Sequence, residues 1–206
     1  IILDKIGGVA KLGESDTYIE RMKPFERQLK MFITNEVTKE EFLNFTQGCV
    51  CDWEKNELNK VKSAISTLNS KLEKYNIRYS KTVNIIKTNG NEEWNSAYTR
   101  ANSIILPQNK IEKYSEEEIF KLLAHEFFHV YSKFNIRKRK MLYDLLGFDK
   151  VNNNILPPNI EQYSLTNPDA LEIVNMEVVY ENKIIRAIPI IYIDGENVDI
   201  SKDIIN

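Results

Sequence analysis

The only two histidines of this 206-residue chain stand four apart with a glutamate directly after the first, in the run Leu122-Leu123-Ala124-His125-Glu126-Phe127-Phe128-His129-Val130-Tyr131. The run is rich in helix-forming residues, and on a helix residues four apart project from the same side one turn apart. Two imidazoles so placed can reach one metal ion, and Glu126 stands where it can take a proton from a water beside that ion. The neighbouring apolar residues set the rest of the constraint. Phe120, Leu123, Phe127, Val130 and Phe134 follow a 3-4-3-4 spacing and predict a buried seam, with His125 and His129 nearly opposite it beside Leu122 and Ser132. Such a helix must be packed along one side and open to a cleft along the other.

The pattern around it predicts an α+β domain, with the His-bearing helix beside a small mixed sheet and a helical N-terminal region. Residues 1–15, with Gly7, Gly8 and Gly13, read as a loose leader, and 17–48 as mainly helical with a stop at Gly48. Trp53, Leu58, Val61, Ile65, Leu68, Leu72 and Tyr75 predict a core-packed helix over about 52–75. Past Asn76 the period changes, and 77–88 and 96–106 read as strands about an Asn89-Gly90-Asn91 turn. Ser115, with Glu118 three residues on, forms a capping box that starts the central helix, which runs to about Phe134. A second helix near 137–146 ends at Gly147, 148–170 reads as irregular, and two β-rich segments, 171–180 and 184–193, close the chain. The expected division is one domain, 1–206, in which residues 1–75 are mainly helical and residues 76–206 hold the sheet, the His-bearing helix and a C-terminal hairpin.

Two histidines do not complete a catalytic zinc site, which has three protein ligands and an open position for water. With no third histidine, the remaining ligand is expected to be a carboxylate. The acids after the helix are Asp144, Asp149, Glu161, Asp169, Glu172, Glu177 and Glu181. Asp169 is favoured, because Asn167-Pro168 restricts the backbone that presents it; Glu172 is the alternative. The predicted site is His125, His129 and Asp169 on Zn²⁺, with Glu126 as general base. Tyr98, Arg100, Tyr163, Arg186 and Tyr192 are candidate donors to a developing oxyanion. Strand 96–106 is a candidate edge for an extended substrate.

Composition narrows the partners. A net charge of −2 and a pI near 5.9 give no electrostatic case for nucleic acid, and Arg137-Lys138-Arg139-Lys140 reads as a solvated helix end. No apolar run approaches the ~20 residues of a membrane span, so the chain reads as soluble, and any export signal would lie upstream of Ile1. Cys49 and Cys51 lack the second pair of a structural zinc site and read as ordinary semi-buried residues. The many Asn, Lys and Ile residues fit the AT-rich coding of a low-GC bacterium.

At His125 to His129 the chain resembles the zincin-like metallopeptidases. Ser132 and Asn135 stand where a metzincin has Gly and His, and the downstream Asn-Glu pair of thermolysin-type enzymes is missing. More narrowly, Tyr98-Thr99-Arg100, Ile105-Leu106-Pro107, His125 to Ser132 and Thr166-Asn167-Pro168-Asp169-Ala170 resemble a group of small bacterial H-E-x-x-H proteins, although Leu171 replaces the proline expected after Ala170. The resemblance implies the same site, with His125 and His129 as ligands and Glu126 as base, and implies no substrate; the motif itself reads as a zinc-dependent hydrolase, most simply a peptidase acting on a peptide or protein. The alternative is an inactive zincin domain that holds metal and serves as a binding or regulatory module.

Overall fold

The computed structural model describes residues 1–150, 156–170 and 174–193. In chain order the elements are α1 (Lys5–Leu12), α2 (Thr17–Arg21), α3 (Pro24–Met31), α4 (Lys39–Gly48), α5 (Lys55–Lys74), β1 (Asn84–Thr88), β2 (Tyr98–Arg100) and β3 (Ser103–Pro107). There follow α6 (Gln108–Lys113), α7 (Glu116–Phe134), α8 (Ile136–Leu145), β4 (Phe148–Lys150), α9 (Pro158–Glu161), β5 (Ser164–Leu165), β6 (Val174–Tyr180), β7 (Lys183–Ala187) and β8 (Ile191–Tyr192). This is an α+β architecture, and no helix among the described residues is long and apolar enough to cross a membrane.

The central sheet has the order β1-β3-β2, with β1 parallel to β3 and β2 antiparallel to it. Residues expected to pair across the Asn89-Gly90-Asn91 turn therefore do not. The turn instead opens into a longer connection. Gly90 sits at φ +86°, where a Cβ would lie 2.5 Å from Asn95 Oδ1 and 2.9 Å from Pro107 Cβ. Trp94 and Asn95 are also left-handed, so the chain wraps back under Pro107 instead of forming a two-residue hairpin. The tight turn comes later, at Ala101-Asn102, and splits the expected strand 96–106 into β2 and β3. Residues 77–83 are not a strand either. Their alternation reflects side chains laid on α7: the Tyr79 ring meets Phe127 edge-on at 5.6 Å, and Lys81 stands 4.0 Å over Phe134.

The first fifteen residues are not loose. Ile85 donates its N–H to Ile1 O at 2.8 Å and accepts from Leu3 N–H at 3.0 Å, which covers the edge of β1 opposite β3. Farther along that edge, Cys51 N–H donates to Lys87 O and Asn89 N–H to Cys49 O. The two cysteines are thus free thiols in a backbone segment that finishes the sheet. Gly8 is where α1 rests on the sheet, since a Cβ there would come 2.9 Å from Val50 Cγ1 and 3.1 Å from Ile86 Cγ2.

Strand alternation sends successive residues to opposite faces. Ile86, Ile105 and Tyr98 join Leu12 and Val50 on the α1 face. Ile85, Ile104 and Leu106 join Val61 and Ala64 of α5 and Ile119, Leu123, Phe127 and Val130 of α7 on the other. The α7 seam is as expected at Leu123, Phe127 and Val130, but Ile119 is fully buried where Phe120 is half-buried, and Phe134 is 37% exposed at the helix end. Lys87 reaches across to Glu57 of α5 in a buried ion pair of 2.7 Å.

The C-terminal region holds β4-β6-β7 and a β5-β8 ribbon. The β6/β7 hairpin turns at Glu181-Asn182, both left-handed, as the sequence indicates. Segment 148–170 is more regular than expected, carrying β4, α9 and β5. The basic run 137–140 occupies the first turns of α8, directly after α7 ends, and not the last turn of a helix.

Leu123 is fully buried between α5 and the sheet. Its replacement by alanine should cost about 2–5 kcal/mol through lost burial and the cavity left behind. Urea denaturation measures this directly, and a loss below about 1 kcal/mol would show that the α5–α7 seam does not carry the fold.

Candidate metal centre

Helix α7 starts where the sequence indicates. Ser115 Oγ accepts the Glu118 N–H at 3.3 Å, and the Glu118 carboxylate accepts the Ser115 N–H at 2.8 Å. With that start fixed and the apolar side packed, the phase of the helix is set. His125 is exposed, His129 is half-buried, and Glu126 is buried. The two Nε2 atoms stand 3.1 Å apart. Two nitrogens bound to one tetrahedral zinc at ~2.0–2.1 Å would be separated by about 3.3–3.4 Å, so the rings need little adjustment to share an ion.

Asp169, forty residues downstream of His129, comes beside His129 and Glu126, whereas His125 is not one of this cluster and meets it through the His129 ring. One ligand atom each from Glu126, His129 and Asp169 lie within 4.8 Å of one another. The electrostatics match a place short of positive charge. Burial, reinforced by the Asp169 carboxylate, pushes the Glu126 carboxyl up to about 8, against the pull of Lys133 and Lys110. Its Oε2 is buried and has no hydrogen-bond partner among the described residues. Burial also holds the His129 imidazole below its ordinary value, against Asp169, which favours the neutral ring that binds metals. The Nδ1 of His129 is likewise buried without a partner among those residues. A dication here would give the orphaned carboxylate the charge it lacks, and two imidazoles with one carboxylate suit Zn²⁺ better than Ca²⁺ or Mg²⁺. The residues present fit the ion. The missing partner on Nδ1 is a departure, since a ligating histidine usually donates its other N–H.

Asp169 is held by a loop tied on three sides. Its own N–H donates to Asn167 Oδ1 at 2.8 Å, closing the Asn-Pro-Asp turn. Its Oδ1 accepts the Thr99 N–H at 2.8 Å and the Thr99 hydroxyl at 2.5 Å. Lys133 donates to Thr99 O at 3.1 Å, to Thr99 Oγ1 at 2.5 Å and to Pro168 O at 2.6 Å. Upstream, Thr166 N–H and Oγ1 donate to the buried Glu26 carboxylate at 2.7 and 3.0 Å, and Lys23 donates to Ser164 O at 2.7 Å. Thr99 and Lys133 are the residues that sequence reasoning overlooks. Lys133 lies four beyond His129, so helical spacing alone puts it on the histidine side.

The other acids stand differently. Asp144 pairs with Lys140 at 2.9 Å on exposed α8. Glu161 is exposed on α9, Glu177 approaches Arg186 at 3.9 Å, and Glu181 is in the hairpin turn. Asp149 lies in β4 opposite Asn175, and Glu172 falls outside the described residues.

Strand parity rules on two oxyanion candidates. Tyr98 and Arg100 face α1, not α7; Tyr98 is in the core there, and Arg100 is bound to Asp16 at 3.0 Å and to Leu12 O and Glu14 O. Tyr163 and Tyr192 meet each other edge-on at 6.3 Å, and Arg186 is exposed on β7. Ser132, expected beside the histidines on the open side, is fully buried with its hydroxyl bound to His129 O.

Comparison of the chain with models of known families, with curated proteins and with solved structures finds no match.

Substituting alanine for His125 or His129 should abolish zinc binding, and Asp169→Ala should weaken it far more than Asp144→Ala or Glu161→Ala. Chelator competition on these variants, with Glu172→Ala alongside, measures the contrast. Wild-type affinity in Asp169→Ala with loss in Glu172→Ala would move the third ligand three residues along.

Proposed function

We propose that this protein is a zinc-dependent hydrolase of zincin-like plan, most simply a peptidase, with His125, His129 and Asp169 as ligands and Glu126 as general base. The observation that carries the reading is the close Nε2 pair on α7 beside a cluster of Glu126, His129 and Asp169 ligand atoms within 4.8 Å of one another, in which Glu126 brings a buried oxygen without a partner among the described residues. Zinc in such a site supplies Lewis acidity, acidifying a water and offsetting charge that develops on a substrate oxygen. The chain supplies the proton handling. Glu126 Oε2, free of hydrogen bonds, accepts the proton of the attacking water and returns it to the leaving amine. Burial pushes the Glu126 carboxyl up to about 8, and a cation bound beside it would pull it back down toward the charged form that accepts a proton.

One observation favours the second reading, a metal-binding domain without turnover. The outward N–H and C=O of Thr99, on edge strand β2, are already taken by Asp169 and Lys133, so an extended peptide finds no free ladder at that residue. The experiment that separates the two is Glu126→Gln. Gln is nearly isosteric but cannot hold the water's proton, so the variant should bind zinc and lose peptide hydrolysis by ~10²–10⁴-fold. Undiminished hydrolysis would remove Glu126 from the mechanism. Zinc-loaded wild-type protein that cleaves none of a broad peptide library would favour the binding module.

A further inference from the structure

Resting on the zinc reading above, we propose that Thr99 and Lys133 are positioning residues that hold the Asp169 carboxylate through one oxygen and leave the other for the metal. The hydrogen bonds specify this division. Oδ1 takes both the N–H and the hydroxyl of Thr99, and Oδ2 takes none from the described residues. A hydroxyl has one proton and two lone pairs. Thr99 spends its proton on Asp169 and a lone pair on Lys133, so the three groups form a directed chain, ammonium to hydroxyl to carboxylate.

Among the described residues, Lys133 donates within this chain of groups and the loop beside it. An ammonium has three N–H bonds, and Thr99 O, Thr99 Oγ1 and Pro168 O take all three. None remains for a substrate oxygen, so Lys133 is not an oxyanion donor. Its place on α7, one turn past His129, links the carboxylate to the helix that carries both imidazoles. The Pro168 carbonyl links it to the residue before Asp169. The spacing between the helix ligands and the loop ligand is thereby fixed by side chains that touch neither the ion nor a substrate, and partners of that kind typically contribute ~10–100-fold to metal affinity.

Thr99→Val is the natural test, since it keeps the shape and the backbone N–H but removes the hydroxyl. Thr99→Ser restores the hydroxyl, and Lys133→Met removes the ammonium from a stem of similar length. Zinc affinity is read by competition with a chromophoric chelator, the ligand field by the visible spectrum of the Co²⁺ form, and folding by thermal circular dichroism. Thr99→Val and Lys133→Met should bind zinc ~10–100-fold more weakly with altered Co²⁺ bands, and Thr99→Ser should stay within about threefold of wild type. Wild-type affinity in Thr99→Val, or equal loss in Thr99→Ser, overturns the positioning role alone. Wild-type protein that binds no zinc overturns the zinc reading with it. Should Thr99→Val fail to fold, Lys133→Met decides, loss upholding the proposal and unchanged affinity overturning it.

Discussion

Burial of one side of α7 against α5 and the sheet is the interaction on which the remaining structure depends. Val61 and Ala64 of α5, Ile104 and Leu106 of β3, and Ile119, Leu123 and Val130 of α7 are all excluded from water. The small Ala64 is fully buried in this seam, and helix pairs with small residues at the contact can approach closely. Once this seam forms, the rotation of α7 has no freedom left, and the direction of its two histidines is decided by residues that never touch them. A helix held less firmly could roll, and even a modest rotation would carry His129 and Glu126 away from the loop that brings Asp169.

The second constraint is charge. Glu126, Asp169 and Glu93 lie close enough for Asp169 to raise the carboxyl of Glu126 and to add to the burial effect on Glu93. The chain answers each differently. Glu93 has Lys30 at 2.5 Å and the Tyr18 hydroxyl, both from the N-terminal helices. Asp169 has Thr99 and, through it, Lys133. Glu126 has no such partner, and its Oε2 is buried without a hydrogen bond among the described residues. A buried carboxylate without a partner is costly, and such costs concentrate where a protein handles a ligand or a proton.

Much of this is legible in the residues. The capping box at Ser115, the seam through Leu123 and Val130 and the common side of His125 and His129 depend on local spacing, which sequence displays directly. Asp169 is reachable by elimination among acids and by the stiffness of Asn-Pro-Asp. Pairing between distant segments is not legible. Nothing local shows that Ile1 to Leu3 pair with β1, or that β1 runs beside β3 and not β2, because an apolar run buried on both faces looks alike in either arrangement. The glycines at 7 and 8 suggest looseness, while Gly8 in fact permits a close approach of backbone to Val50. Residues 77–83 alternate like a strand because an irregular segment lying on a helix also buries some side chains and exposes others. Thr99 stands inside a recognisable run, Tyr98-Thr99-Arg100, but its role follows from strand parity, which becomes visible only once the face of β2 is known.

The ties on the Thr166–Asp169 loop have a consequence for when the site can exist. Its components come from α3, β2, α7 and the loop, so they are separated along most of the chain. During synthesis the helix with both histidines is complete well before Asp169 is made, and the loop then needs Glu26, made ahead of that helix, to seat it. A nascent or truncated chain can therefore own the whole His-Glu-x-x-His helix and still lack a finished centre. Completion waits for the joining of segments far apart in sequence, so the cluster of Glu126, His129 and Asp169 forms only after Asp169 has been made.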